Sequence, residues 1–264
     1  MPILRLALPY QTSYSIKTDS IELAVFLRIK FGKYISESEK EAEIDITVTQ
    51  NADGFAVVLD GEKKRTTQPM RILDQYLFDN NRYDESVLAL HGAAVEYGGR
   101  AYLFLASSSS GKTTLCTYLL SLGFGFVAED CILIDRSTFD IHPCTAPVHL
   151  RDGGLSVLRE YNAAPQELFI TGEEEARRYV FTPENCVSRV IPLGRIFFIE
   201  RTASENAVLP MTTTEKLTEL LHSPITLYPI TGEYLKLMSR LAKENCVRLK
   251  YCDMAYAAEV IQNG

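Results

Sequence analysis

The N-terminal third of the chain alternates between helical and strand-like spacing of its apolar residues. Asp19-Ser20 is predicted to cap a helix with one apolar side that ends near Phe31, and a second helical pattern covers Met70 to Phe78. Between them, apolar and polar residues alternate over Glu43 to Thr49, and a second short strand pattern covers Phe55 to Leu59. We therefore predict a small α+β region over residues 1–84.

Residues 85–264 open with a long apolar stretch, Val87 to Ala106, which predicts a β-hairpin that turns at Gly98-Gly99. Leucines at helical spacing predict a helix over Lys112 to Leu122, and Gly125 to Asp135 predicts a strand interrupted by two acidic residues. Later predicted elements are a charged helical turn at Glu173–Arg178, strands at Arg195–Glu200 and Val247–Tyr251, and helices at Thr213–Leu221, Gly232–Ala242 and Ala255–Ile261.

Composition narrows the class of protein. The 264 residues are 46% apolar and 23% charged, which is typical of a globular protein, and the net charge is −7. Because no basic stripe is present, non-specific nucleic-acid binding is not expected. No apolar run approaches the roughly 20 residues of a membrane-spanning helix, and Leu4 to Leu8 predicts a strand rather than a signal peptide.

The chain contains six cysteines, none in a C-x-x-C pattern. Several of them stand in apolar strand or helix patterns, where a thiol behaves as a small apolar group. We expect buried, reduced thiols in a cytoplasmic protein, rather than disulfides or a metal site.

The stretch from Ala106 to Thr114, ASSSSGKTT, predicts a phosphate-binding loop between a strand and a helix. Backbone N–H groups at a helix start are unpaired, and the helix dipole adds positive potential there. Lys112 would reach the β- and γ-phosphates, and the Thr113 hydroxyl would hold Mg²⁺. The alternative is a serine-rich turn with Ser110 as an ordinary N-cap. The predicted nucleotide-binding residues are Ser107, Ser108, Ser109, Ser110, Gly111, Lys112, Thr113 and Thr114.

Two further features suit phosphate chemistry. Glu129-Asp130 ends the predicted strand, where an acidic residue of a nucleotide-binding protein contacts Mg²⁺; a polar strand end is the alternative. The two carboxylates point to opposite faces unless the strand kinks. His91 interrupts the first arm of the predicted hairpin, and antiparallel counting places it across from Ala106. A histidine there could orient a carboxylate or bind phosphate, unless it is a core histidine.

Together these motifs resemble the C-terminal domain of HPr kinase/phosphorylase. The resemblance rests on His91-Gly92, on Ser107 to Thr113, on Val127 to Asp130 and, loosely, on Val148 to Arg151. It covers residues 86–160 well, and the first 85 residues do not resemble the family's regulatory domain. It implies an α/β fold, namely a phosphoenolpyruvate-carboxykinase-like mixed-sheet P-loop core, and kinase activity with ATP and Mg²⁺ on a serine or threonine of a small protein or peptide.

The resemblance also implies roles for individual residues. Gly111 and Lys112 would bind phosphates, Thr113 and Asp130 would bind the metal, and Glu129 would be the general base. His91 would tune that base, and Arg151 would contact phosphate or the acceptor. Family members often form homo-oligomers, and neither a nucleic acid nor a membrane is an expected partner.

The sequence departs from the family at several positions. Ala106 and Ser109 stand where the family usually has glycine, and His149 replaces a signature glutamate. Glu129 in place of aspartate lengthens the predicted base by one methylene, about 1.5 Å, and a displacement of that size can cost roughly 10²-fold in rate. Two alternatives to a protein or peptide kinase therefore stay open: a non-catalytic nucleotide-binding module and a small-molecule kinase of the same fold.

Overall fold

The computed structural model describes residues 1–37, 42–78, 83–171, 177–224 and 231–263. The chain is a mixed α/β protein that divides into two compact units, Met1–Glu85 and Ser86–Gly264. Among the helices of these described ranges, none combines the length and apolar character that crossing a bilayer requires. All six cysteines are free thiols, and four of them are buried.

The N-terminal unit, Met1–Glu85, is a five-stranded sheet with two helices. Neighbouring strands follow the order β1-β2-β3-β4-β5, and only the β2–β3 pair is parallel. The Ser20 hydroxyl accepts a hydrogen bond from the Leu23 amide and caps α1, as the sequence predicts. The elements are β1 (Ile3–Ala7), β2 (Ser13–Thr18), α1 (Ile21–Phe31) with a 3-10 turn (Gly32–Tyr34), β3 (Ile44–Asn51), β4 (Gly54–Leu59), β5 (Glu62–Thr66) and α2 (Pro69–Leu77).

The C-terminal unit, Ser86–Gly264, contains one large sheet, two small sheets and five described helices. Its elements are β6 (Val87–Leu90), β7 (Ala93–Tyr97), β8 (Arg100–Leu105), α3 (Lys112–Ser121), β9 (Gly125–Glu129), β10 (Ile132–Asp135), β11 (Ile141–His142), β12 (Val148–Leu150), α4 (Asp152–Glu160), β13 (Phe169–Thr171), β14 (Arg178–Phe181), β15 (Leu193–Arg201), β16 (Ala207–Pro210), α5 (Thr213–Leu221), α6 (Gly232–Leu241), β17 (Cys246–Tyr251) and α7 (Met254–Gln262).

The large sheet has the order β16-β17-β15-β8-β7-β9. Strands β8, β15 and β17 are parallel, whereas β7 is antiparallel to both β8 and β9. Strands β8 and β9 therefore run in the same direction, and their carboxyl ends lie at one edge of the sheet. A buried apolar cluster that includes Phe104, Leu115 and Phe197 packs α3 against this sheet.

The predicted hairpin is confirmed over β7 and β8. Tyr97 pairs with Arg100, and Gly98 and Gly99 have φ values of 59° and 81°, which suit a two-residue turn. The prediction is wrong for Val87 to Leu90, because this segment, β6, pairs with β10 in a separate sheet.

The chain leaves the hairpin at Gly92, where the backbone passes very close to its neighbours. A Cβ atom on Gly92 would lie 2.7 Å from the Phe104 carbonyl oxygen and 2.8 Å from the Ile132 side chain. Any larger residue at this position would push the two sheets apart.

Several short elements were not predicted. The sheet β12-β14-β13 consists of strands of three or four residues, and α4 starts with a glycine pair, Gly153-Gly154. The predicted helical turn at 173–178 lies mostly outside the described residues, and its last residue, Arg178, begins strand β14. Such short strands carry too few residues for a clear alternation.

Candidate functional site

A serine-rich loop joins β8 to the start of α3, at the edge where β8 and β9 both end. We call Ala106–Gly111 the serine loop. Ser109 and Gly111 have φ values of +66° and +95°, so the loop turns through two left-handed residues before the helix starts. The side chains of Ser107, Ser108 and Ser109 are exposed. The Ser110 hydroxyl oxygen is buried and has no hydrogen-bond partner among the described residues.

Lys112 folds back under the serine loop. Its Nζ donates hydrogen bonds of 2.9 Å each to the carbonyl oxygens of Ala106 and Ser107, and the residue is only 7% exposed. Burial lowers the pKa of Lys112, while the negative charges of Asp130 and Glu129 oppose that shift. The ammonium group is therefore held at the base of the loop, beside two carboxylates.

Thr113 and Glu129 are in direct contact at the start of α3. The Thr113 hydroxyl donates a hydrogen bond of 2.6 Å to Glu129 Oε1, and Glu129 is 6% exposed. The Cys116 thiol lies on the next turn of α3, and burial, followed by the charge of Glu129, raises its pKa. The Glu129 side chain therefore lies in a mostly dry environment, directly on the hydroxyl that the sequence assigns to Mg²⁺.

Asp130 leaves the strand that carries Glu129. Its φ of +62° breaks the strand, so Glu129 stays buried while Asp130 is exposed. The Cys131 amide closes this kink with a 2.8 Å hydrogen bond to the Glu129 carbonyl oxygen. The strand therefore kinks here, the exception to simple alternation, and the two adjacent carboxylates occupy different environments, one buried and one exposed.

His91 lies beside Lys112 and Asp130. Burial lowers the pKa of His91 and the charge of Lys112 lowers it further, whereas the charge of Asp130 and a backbone hydrogen bond with Asp130 raise it. The predicted register holds as far as Ala93, which pairs with Phe104. Beyond that point the His91 amide instead donates a 2.6 Å hydrogen bond to the Ser223 carbonyl oxygen.

Arg151 reaches the serine loop from the other side. It precedes α4, and its Nη1 donates a 2.9 Å hydrogen bond to the Ser109 hydroxyl. Thr114 faces α4 as well, because a Cβ atom on Gly154 would lie 2.8 Å from the Thr114 hydroxyl oxygen. The structure thus gathers every residue that the sequence singled out around the N-terminal end of α3.

Two contributors to the site were missed at the sequence level. Gly154 allows the close approach of α4 to α3, and the Gly153-Gly154 pair was its only signal. Tyr251, at the end of β17, lies under the loop with its hydroxyl 3.3 Å from the position a Cβ atom would take on Gly111. Burial raises the pKa of Tyr251 to about 12. No local pattern marks Tyr251, because parallel pairing of distant strands brings it there.

A groove runs along the flank of α3, one helical turn beyond Thr113. We call it the α3 groove. It is lined by Thr117, Leu120 and Ser121 of α3 and by the segments 163–167 and 181–185, and it has a volume of about 630 Å³. Half of the residues of the two segments are exposed, so the groove is open to solvent.

The donor and acceptor groups of the site suit a nucleotide with a hard cation. Backbone amides at a helix start bind phosphate oxygens, and the buried Ser110 hydroxyl has a hydrogen bond to spare. Hydroxyl and carboxylate oxygens such as those of Thr113, Glu129 and Asp130 are the ligands that Mg²⁺ prefers. The residues present therefore fit both groups.

Comparison with known proteins gives limited information. Neither a family model nor a curated protein matches the sequence. Among solved structures, the HPr(Ser) kinase/phosphatase from Coxiella burnetii is similar to this chain, with 10% sequence identity and a TM-score of 0.33 over 66% of this chain and 94% of that one. At this TM-score the similarity establishes neither the fold nor the function of this chain.

Proposed function

We propose that this protein is an ATP- and Mg²⁺-dependent kinase that phosphorylates a serine or threonine hydroxyl on a small protein or peptide. The observation that carries the proposal is the Thr113–Glu129 contact of 2.6 Å at the start of α3, beside the buried ammonium of Lys112. A hydroxyl, a carboxylate and an ammonium group thus lie close together at a helix N-terminus, and this grouping supports the proposal. The motif resemblance to HPr kinases supports the same chemistry.

Binding of the nucleotide falls to the serine loop and its two basic residues. Lys112 exchanges the carbonyl oxygens of Ala106 and Ser107 for phosphate oxygens, since an ammonium binds the charged acceptor more strongly. Arg151, held over the loop by Ser109, adds a second positive charge. The loop amides and the Ser110 hydroxyl complete the set of donors.

Transfer requires a base close to the acceptor hydroxyl and stabilisation of the charge that moves onto the leaving oxygen. Glu129 takes the proton of the acceptor hydroxyl, and its buried position keeps water from competing. Thr113 and Asp130 would hold Mg²⁺, which would neutralise charge on the phosphate oxygens. His91 hydrogen-bonds the backbone of Asp130, and we assign it the role of holding this strand end beside Glu129.

One observation favours a second candidate, a nucleotide-binding module without catalysis. The Glu129 carboxylate is engaged by the Thr113 hydroxyl, so the same two groups cannot serve as free base and free metal ligand until this contact opens.

A small-molecule kinase is the other alternative. Such an enzyme would be expected to close its acceptor pocket, whereas the α3 groove is open to solvent, which favours a protein or peptide acceptor.

Nucleotide binding is tested by calorimetric titration of the protein with ATP and Mg²⁺. Lys112→Ala should weaken ATP binding by about 10- to 100-fold, the range expected for a lost hydrogen bond to a charged group. The matched control is Lys243→Ala, which removes an exposed lysine of the same unit. Equal ATP affinity of the Lys112 variant and the wild type would contradict the proposal.

Catalysis is tested separately with labelled ATP on an array of serine- and threonine-containing peptides. Glu129→Gln keeps the shape of the side chain but removes the base, so transfer should fall by roughly 10²- to 10⁴-fold while ATP affinity changes little. ATP binding without transfer to any peptide, in the wild type and in Glu129→Asp alike, would instead favour the non-catalytic module.

A further inference from the structure

We propose that the α3 groove docks the acceptor and selects a basic segment next to the phosphorylated hydroxyl. This inference rests on the proposed kinase function, because it assigns the partner to the same site.

The groove and the Thr113–Glu129 contact lie on the same side of α3. Thr113, Thr117 and Ser121 follow one another at intervals of four residues, which places them on one face of the helix. With a rise of 1.5 Å per residue, the groove begins about 6 Å from Thr113 and extends to about 12 Å.

Strand β9 leads from the groove to the same contact. The Phe126 amide donates a 2.7 Å hydrogen bond to the carbonyl oxygen of Asn185, a residue that lines the groove. Glu129 stands three residues further along this strand, or about 10 Å at 3.3 Å per residue. Two independent elements thus place the groove about 6–12 Å from the Thr113–Glu129 contact.

The groove carries negative charge and no positive charge among its described lining residues. Glu167 and Glu184 both line it, both are exposed, and neither side chain has a hydrogen bond or ion pair within the described part of the chain. Two unpaired carboxylates in a concave surface favour a cationic side chain, and concavity strengthens their field relative to a flat surface. Lysine or arginine side chains of a partner fit this site.

The size of the groove and its distance from the Thr113–Glu129 contact predict how many residues separate the basic side chains from the acceptor hydroxyl. A volume of about 630 Å³ lies within the range of roughly 300–1,000 Å³ that holds a compact ligand, and it is large enough for a few residues of extended chain. An extended peptide spans about 3.3 Å per residue, so 6–12 Å corresponds to about two to four residues. We therefore expect the basic residues about two to four positions from the acceptor hydroxyl.

Fluorescence anisotropy with labelled twelve-residue peptides tests this assignment. Each peptide carries one serine, with arginines, glutamines or glutamates at two to four positions on its N-terminal or C-terminal side. The arginine peptide should bind most tightly at low salt and lose affinity as salt is raised. In the double variant Glu167→Gln/Glu184→Gln its affinity should fall about five- to tenfold.

The matched control is Glu233→Gln/Glu244→Gln, which removes the same charge at exposed positions of the same unit. The control should bind the arginine peptide as the wild type does, and both double variants should bind ATP normally. Equal affinity for arginine, glutamine and glutamate peptides would overturn the assignment, as would an equal loss in both double variants.

The experiments give different results if the docking assignment is wrong and if the kinase proposal is wrong. If ATP binds and transfer occurs but the groove variant changes neither peptide affinity nor KM, the docking assignment is wrong and the kinase proposal stands. If the arginine peptide binds through the groove but Lys112→Ala leaves ATP affinity unchanged, the docking surface stands and the kinase proposal is wrong.

Discussion

Ser109 offers a direct test of how the serine loop is built. The residue holds a left-handed backbone with φ of +66°, at a position where the resembled family usually has glycine. Its hydroxyl accepts a 2.9 Å hydrogen bond from Arg151. The substitutions Ser109→Gly and Ser109→Ala both remove that hydrogen bond, but only glycine also removes the left-handed strain.

The size of the effect follows from three terms. A left-handed conformation costs a residue with a Cβ atom about 1–2 kcal/mol. Glycine offsets about 0.4–1 kcal/mol of this gain in stability, because it gives the unfolded chain more conformational freedom. The lost hydrogen bond, worth roughly 0.5–1.5 kcal/mol, is common to both variants and cancels between them. We expect the glycine variant to be more stable than the alanine variant by about 1 kcal/mol, with glycine close to wild type.

Differential scanning calorimetry measures this difference. For a unit of about 150–250 residues, 1 kcal/mol shifts Tm by about 2–4 °C. Because the two compact units can unfold separately, the relevant transition is the one that also shifts in Leu115→Ala, a change in the buried core under the loop.

An alanine variant as stable as the glycine variant would refute the left-handed conformation at position 109. A second check uses Arg151→Met. It should destabilise the wild type more than it destabilises Ser109→Ala, since the hydrogen bond is already absent there. Equal effects in both backgrounds would show that the Arg151–Ser109 hydrogen bond contributes nothing.

Two further predictions concern His91 and Gly92. Because burial lowers the pKa of His91, its protonation favours the unfolded chain, so the stability that this group contributes should be complete above pH 6.5 and fall as the pH drops below it. His91→Gln should therefore reduce the loss of Tm between pH 7.5 and 5.5. An unchanged loss of Tm would contradict the burial of this ring. Gly92→Ala should cost about 1–3 kcal/mol of stability through overpacking, measured by urea unfolding. Gly153→Ala, where a Cβ atom meets nothing within 4 Å, is the control and should be neutral or stabilising.

Much of the fold can be predicted from local patterns. Helix α5 begins and ends where its capping residue and periodicity place it, because Thr212 and Glu215 form a capping box at its start. The hairpin turn at Gly98-Gly99 is equally local. The short sheet β12-β14-β13 is not, since its strands are held by partners up to 33 residues away, as the pairing of Val148 with Phe181 shows.

The residues of the candidate site also fall into two groups, those that a local sequence pattern marks and those that only distant contacts bring together. Lys112, Thr113 and Glu129 are marked by a loop, a helix start and a strand end that follow one another along the chain. Helix α4 is not marked, because two glycines at its start weaken helix propensity by about 1 kcal/mol each, and it forms because Leu155 and Leu158 are buried against the core. Tyr251 and the α3 groove depend on contacts between distant segments and have no local signal.

The hydrogen bonds that Lys112 donates to its own loop compete with the binding of any anion. Two of the three donors of its ammonium group are already committed to the carbonyl oxygens of Ala106 and Ser107. Only molecules in which these contacts have opened present all three donors to a phosphate, so the apparent affinity of this full contact equals the intrinsic affinity scaled by that population. Each 1.4 kcal/mol that favours the arrangement with these hydrogen bonds intact weakens apparent binding about tenfold. The loop therefore sets the affinity for an anion as well as providing the groups that bind it.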